Sequence, residues 1–146
     1  MGSAPEGFAL PGSAVATPIA HLNPDLSDQE KRVVFGEVTL VWPYNSVTQT
    51  LAFLLAEPDV LLRRTKGQVR VQIRGPSATR VAECKLGGGD TVALFLDGVN
   101  WGKDNSAVRV PATRLEWQLE FAGKLKLQVC ALLILLQHRC AHLKNT

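Results

Sequence analysis

Hydrophobic and polar residues alternate one by one along several segments of the chain. From Gln68 to Arg74, three apolar residues (Val69, Val71 and Ile73) share one side, and only Arg and Gln occupy the other. A period of two predicts a β-strand with one buried face and one solvent-exposed face. Comparable patterns predict strands at about residues 32–42, 48–56 and 91–96, and a last strand region that alternates over 114–121 and turns at 122–123 into 124–129.

The period changes between the third and fourth predicted strands. Ala78 and Val81 fall at helical spacing behind Ser77, a candidate N-cap. The run Gly87 to Gly89 then ends the helix and turns the chain. Gly36, inside the first strand, predicts a bulge or a sharp bend. This order predicts an all-β, β-rich fold: a five-stranded OB-fold Greek-key barrel with a short helix between strands 3 and 4. A small α+β sandwich is the alternative.

A chain of 146 residues suits one ordinary globular domain. We expect a flexible leader over residues 1–20, the domain over 21–129, and a C-terminal tail over 130–146. If the tail is helical, its apolar stripe would dock on a second copy or on another protein, giving a homo- or hetero-oligomer. The longest apolar run, Val129 to Leu136, is far shorter than the roughly 20 residues that span a bilayer, so we expect no membrane partner.

The polar side of the third strand carries long hydrogen-bond donors and no acid. No Asp or Glu occurs between Asp59 and Glu83, and like charges on one face of a sheet repel each other. Such a face is explained if a ligand supplies the negative charge, and a phosphate backbone is the commonest such ligand. The formal net charge is only +3, so nucleic-acid affinity would come from local clustering.

An OB barrel binds its ligand on strands two and three and in the flanking loops. A single strand needs rings for its bases and cations for its phosphates, at roughly 1–3 kcal/mol per stacked base. The predicted site therefore consists of stacking residues (Trp42, Tyr44 and Trp101), phosphate-binding residues (Arg63, Arg64, Lys66, Arg70 and Arg74), residues that read base edges (Asn45 and Gln72), and Lys103 and Arg109 in the second flanking loop.

Each part of this site has a structural alternative. Trp42 and Trp101 could be half-buried residues that close a barrel end. Arg63 and Arg64 could form a solvated rim that contributes little. Trp117 alternates with apolar neighbours and is expected in the core.

Motifs typical of enzymes are missing from the sequence. Gly87 to Gly89 lack the Lys-Ser/Thr of a phosphate-binding loop, and no Ser or Cys has a His partner at motif spacing. His138, Cys140 and His142 could offer metal ligands, but without a carboxylate or a second Cys in range the end of a surface helix is expected. We expect no catalytic residue, metal or cofactor. Three sparse cysteines predict a reducing, intracellular compartment.

Four blocks of distinctive residues lie between about Pro18 and Val129. They are VWPYNS at 41–46, LAEPD at 55–59, KGQVRV at 66–71 and GD at 89–90. Together they resemble the telomeric single-stranded DNA-binding domain of the protection-of-telomeres family, in the divergent form of fungal end-binding proteins.

This resemblance implies an OB-fold, G-rich single-stranded telomeric DNA as ligand, and a nuclear location at the telomere of the chromosome. It also implies other telomere proteins as partners. On this basis we expect telomeric single-stranded DNA binding that contributes to capping and telomere maintenance. The alternatives are a protein-interaction OB module for dimerisation or partner recruitment in a telomere or replication complex, and a general single-strand binder.

Overall fold

The computed structural model describes residues 10–106 and 111–129, and the backbone of residues 142–144. Within these residues there are nine strands and two short α-helices. The strands are β1 (Val15–Ala16), β2 (Arg32–Asn45), β3 (Thr50–Ala56), β4 (Gln68–Arg74), β5 (Thr91–Phe95), β6 (Asn100–Lys103), β7 (Arg114–Phe121), β8 (Lys126–Val129) and β9 (His142–Lys144). The helices are α1 (Val60–Arg63) and α2 (Pro76–Glu83), and Ile19–His21 and Gln29–Lys31 form single 3₁₀ turns.

The described strands belong to one mixed sheet. Its order is β6-β7-β4-β3-β2-β5-β8-β9, and β1 pairs with the start of β2 off this path. The pairs β1–β2 and β4–β7 are parallel, and the other pairs are antiparallel. Because β3 and β7 flank β4, the outward side chains of β4 lie in the middle of a broad surface.

The core lies on one side of β4. Val69, Val71 and Ile73 are fully buried, and α2 packs Ala78 and Val81 into the same cluster. Full burial of an aliphatic side chain contributes roughly 1.5–3 kcal/mol, so this face fixes the register of the strand. The opposite face of β4 is left to its Arg and Gln residues.

The strand-rich architecture confirms the predicted all-β class. β4 and β7 have the predicted bounds, and β2, β3, β5 and β8 agree to within about three residues. α2 lies between β4 and β5, as predicted for the short helix. Its N-cap position is Gly75 without a side-chain cap, however, because the Ser77 hydroxyl donates to the carbonyl of Gly123 at 3.0 Å.

Two segments predicted as loops are strands. β2 continues to Asn45, and residues 100–103 form β6. A register shift between Trp42 and Asn45 interrupts the ladder around Pro43, which has no N–H to donate. The partners that make these segments strands come from β3 and β7, so local patterning could not show them.

Gly36 is not the site of a bulge. It pairs in regular register with Val92 of β5, and the irregularity lies further on, between Val38 and Leu40. A Cβ at Gly36 would lie 2.5 Å from Leu55 Cγ and 2.9 Å from the Ala56 carbonyl oxygen. The glycine is required because β3 approaches this point of β2 closely.

The sheet includes residues from both expected flanks of the domain. β1 joins β2, and Ile19 is fully buried, so the chain enters the fold before residue 21. At the other end, Val129 closes β8, and β9 pairs with β8. Residues 142–144, in the tail that could be helical, therefore form a strand. The rest of the predicted helical tail, including Cys140, lies outside the described residues.

Candidate nucleic-acid interface

Two rows of side chains cross the sheet on the side away from the core. Cross-strand pairing places the first row through Leu40, Leu54, Arg70, Gln118 and Gly102. The second row runs through Trp42, Ala52, Gln72, Glu120 and Asn100. Directly paired residues share one face of a sheet. We call five side chains of these rows the polar face: Trp42, Arg70, Gln72, Gln118 and Glu120.

Arg70 occupies the centre of the polar face and is held by three neighbours. Its guanidinium carbon lies 4.7 Å from the centre of the Trp42 ring. Its Nη1 donates to Gln118 Oε1 at 2.7 Å and to Gln72 Oε1 at 3.0 Å. The pKa of Arg70 is lowered, first because the group is partly buried; nearby Asp104 opposes this shift. A stacked and bonded guanidinium is a rigid platform on which a planar group can lie.

The polar face contains an acid that the sequence pattern did not reveal. Glu120 pairs with Gln72 across the parallel β4–β7 ladder and accepts from Gln118 Nε2 at 2.6 Å. The premise that this face lacks counter-charge is therefore wrong. The acid is absent from the neighbouring sequence but comes from β7, about fifty residues further along the chain.

A buried ion pair fixes the loop beside the polar face. Arg114 Nε lies 2.8 Å from Asp104 Oδ2, without hydrogen-bond alignment, and both side chains are almost completely buried. Arg114 Nη2 also donates to Ser106 Oγ at 2.8 Å, and the Ser106 backbone N–H donates to Asp104 Oδ1 at 2.9 Å. Sequence reasoning missed this cluster, because Asp104 stands in a polar segment without a motif.

The loop and the sheet enclose a shallow cleft of about 270 Å³. Its lining is polar, and consists of Arg70, Gln72, Lys103, Asn105, Ser106 and Gln118. The cleft brings together three of the predicted site residues, Arg70, Gln72 and Lys103. Amide, hydroxyl and cationic groups in one cleft can bind the polar edges of a base and the oxygens of a phosphate.

Three predicted cations lie near the ends of β4. Arg64 and Lys66 precede the strand, and Arg74 ends it. All three side chains are exposed, and none forms a salt bridge within the described part of the chain. Arg63 differs, since its Nη2 lies 3.3 Å from Glu37 Oε1 and its Nε donates to the Glu57 carbonyl at 2.9 Å. Arg63 therefore has a structural role, because its guanidinium is paired within the fold.

Trp101 is separated from the polar face. It pairs with buried Leu119, packs against the core, and donates from Nε1 to Gln29 Oε1 at 3.2 Å. Trp101 therefore has the structural role that was its alternative, while Trp117, expected in the core, is only half-buried.

Tyr44 and Asn45 also lie away from Arg70. Tyr44 packs against the core and lines a different cavity of about 410 Å³, together with Gln49, Thr79 and Arg80. Asn45 Oδ1 accepts from the backbone N–H groups of Val47 at 2.8 Å and Thr48 at 3.2 Å. Asn45 thus stabilises the β2–β3 turn, and its carbonyl oxygen is already used.

Within the described ranges, no group of three His, Cys, Asp or Glu side chains could hold a metal ion, and no helix is long and apolar enough to cross a membrane. Cys84 is disulfide-bonded, so this residue does not support the expected reducing compartment. Arg109, His138 and Cys140 lie outside the described residues.

The family model described as a domain of unknown function, DUF8502, matches residues 13–132. Comparisons with curated proteins and with solved structures give no match.

Proposed function

We propose that this chain, which belongs to the DUF8502 family, binds single-stranded DNA across the polar face. The proposal rests on the geometry, because the description of the family gives no activity. The observation that carries this proposal is the Arg70 guanidinium held over the Trp42 ring on an open sheet surface. Unpaired bases stack on aromatic rings and on arginine guanidinium groups, and here one of each is stacked together.

We further propose that the sheet is an OB barrel. Five pairings support this: β2 with β3, β3 with β4, β2 with β5, β4 in parallel with β7, and β6 with β7. β5 and β6 are separated by a turn at Asp97–Gly98, so they can be two halves of one bent strand. In this proposal the strands would close into a five-stranded Greek key, with β3 and β4 as the usual binding strands.

The charges suggest a path for the ligand. A strand of seven residues spans about 20 Å, and exposed cations lie near both ends of β4. Phosphates would contact Arg64, Lys66 and Arg74, while Glu120 repels phosphate from the centre. Bases would therefore lie over Trp42 and Arg70, with their polar edges in the cleft.

The resemblance to telomere end-binding domains extends the proposal. It favours G-rich telomeric DNA as ligand, the telomere in the nucleus as location, and other telomere proteins as partners. In this proposal the protein contributes to capping through binding and is not an enzyme.

Fluorescence anisotropy with G-rich, C-rich and scrambled oligonucleotides over a salt series tests the proposal. We expect Trp42→Ala to weaken binding about 5- to 150-fold at constant salt, because one stacked base contributes roughly 1–3 kcal/mol. The double variant Lys66→Ala with Arg74→Ala should reduce the slope of log affinity against log salt by about 1.4.

Lys31→Ala is the matched control, since this exposed residue lies at the opposite end of β2 from Trp42. It should change affinity and slope little. If folded Trp42→Ala binds every oligonucleotide as tightly as the natural protein does, stacking on this face is refuted. If the natural protein binds G-rich and scrambled DNA with equal affinity, only the telomeric assignment is refuted.

A further inference from the structure

The helix α1 exposes three consecutive aliphatic side chains. Val60 is 64% exposed, Leu61 71% and Leu62 55%. The helix stands in the β3–β4 connection. Single exposed aliphatic residues are common on proteins, but three in a row on one turn form a patch that typically marks a binding surface.

This apolar turn is held in place and is not a loose loop. Asp59 caps it by accepting from the Leu61 N–H at 2.9 Å. Arg63 ties its end to the Glu57 carbonyl and to Glu37 of β2. Gly67 is buried beneath it, where a Cβ would lie 2.5 Å from Arg63 Cα. A preordered apolar turn loses little further entropy when a partner covers it.

Two exposed cations follow the turn. Arg64 and Lys66 follow it directly, are exposed, and form no salt bridge within the residues that the structure describes. The carboxylates of Asp59 and Glu57 have partners elsewhere, because Asp59 caps the helix and Glu57 Oε2 accepts from the Ile19 N–H at 2.7 Å, and Glu37 pairs with Arg63. A complementary partner therefore presents apolar side chains flanked by carboxylates.

We propose that Val60, Leu61 and Leu62, with Arg64 and Lys66, dock an acidic amphipathic segment of a partner protein. Aliphatic side chains have no aromatic face for a base, so DNA does not explain their exposure. A membrane also fits poorly, because three aliphatic residues and two cations are a small anchor compared with an interfacial helix. Arg64 and Lys66 are also the proposed phosphate contacts, whereas Leu61 and Leu62 take no part in DNA binding, so a leucine variant separates this inference from the proposed function.

The test uses the full chain and a fluorescent helical peptide with leucines on one face and glutamates beside them. We expect Leu61→Ser with Leu62→Ser to weaken peptide binding about tenfold or more, since central apolar contacts dominate small interfaces. Arg64→Glu with Lys66→Glu should weaken it comparably. Val47→Ser is the matched control, because Val47 is 90% exposed on the β2–β3 turn and should be neutral.

Further measurements distinguish the proposed acidic peptide from DNA, a membrane and a second copy of the chain as the ligand of this surface. Peptides with Lys for Glu or Ser for Leu should bind weakly, and the Leu61→Ser, Leu62→Ser variant should retain the oligonucleotide affinity of the natural protein. The proposal is overturned by equal binding of all peptides. It is also overturned if the Leu61→Ser, Leu62→Ser variant loses DNA affinity. The same holds if this variant loses only binding to phosphatidylserine vesicles, or if light scattering shows that it loses only self-association.

Discussion

Arg70 illustrates how much of this protein is decided at single residues. The same side chain stacks on Trp42, binds two glutamines and is partly withdrawn from water. The three contacts come from residues of three different strands, so all of them form only when β2, β4 and β7 pair in this register. Arginine remains protonated despite the lowered pKa, because its ordinary value lies so far above neutral pH.

Gly36 gives a prediction at the same scale. We expect Gly36→Ala to lower the free energy of unfolding by about 1–3 kcal/mol, because the new methyl group would overlap Leu55 and the Ala56 carbonyl. Urea denaturation followed by tryptophan fluorescence measures this. Gly12→Ala serves as the control, since nothing lies within 4 Å of a Cβ there. Equal stability of the two variants would show that β3 can move away from β2.

At the scale of elements, the connection from β6 to β7 is organised by charge. Asp104 is followed by Ser106, and both reach Arg114 at the start of β7. Ion pairs buried in this way add specificity more than stability, but breaking one leaves a charge without a partner. The pair fixes the loop that forms one wall of the cleft.

Asp104→Ala should therefore lower the free energy of unfolding by about 3–5 kcal/mol, because Arg114 would be buried without its counter-charge. The double variant Asp104→Leu with Arg114→Met should recover much of this loss, and urea titrations of the three proteins would show it. If the double variant recovered none of the loss, packing of these side chains, and not their charge, would support the loop.

At the scale of the whole molecule, the described sheet starts before the segment in which alternation is strong. β1 and the turn at Ile19–His21 lie in a region rich in Ala and Pro, yet Ile19 and Leu22 belong to the main core. The Ile19 N–H also donates to Glu57, which ties this segment to the end of β3.

Ile19→Ala should cost about 2–5 kcal/mol of unfolding free energy, as expected for a fully buried aliphatic residue. His21→Ala, two residues away and exposed, should be close to neutral. Thermal and urea unfolding of both variants give the comparison. A neutral Ile19→Ala would mean that this segment only covers the domain and does not support it.

Burial on β7 was not fully predictable from the sequence, since Arg114 and Gln118 are buried and Trp117 is only half-buried. The sequence did predict the buried side of β4, the place of α2 and the all-β class. These features follow from local rules, since alternation with a period of two and the spacing of Ala78 and Val81 act within one element. The candidate site was found in part: Arg70, Gln72 and Lys103 line one cleft, and Trp42 contacts Arg70.

Only the tertiary structure decided the rest of the site. It placed Glu120 opposite Gln72, moved Trp101 to the core side, directed Tyr44 into another cavity, and paired Arg63 with Glu37. These outcomes depend on which strands pair and in which register, and pairing between distant segments leaves no periodic signal in either segment. Charge balance on a sheet is therefore a property of neighbouring strands, which the sequence of one strand cannot give.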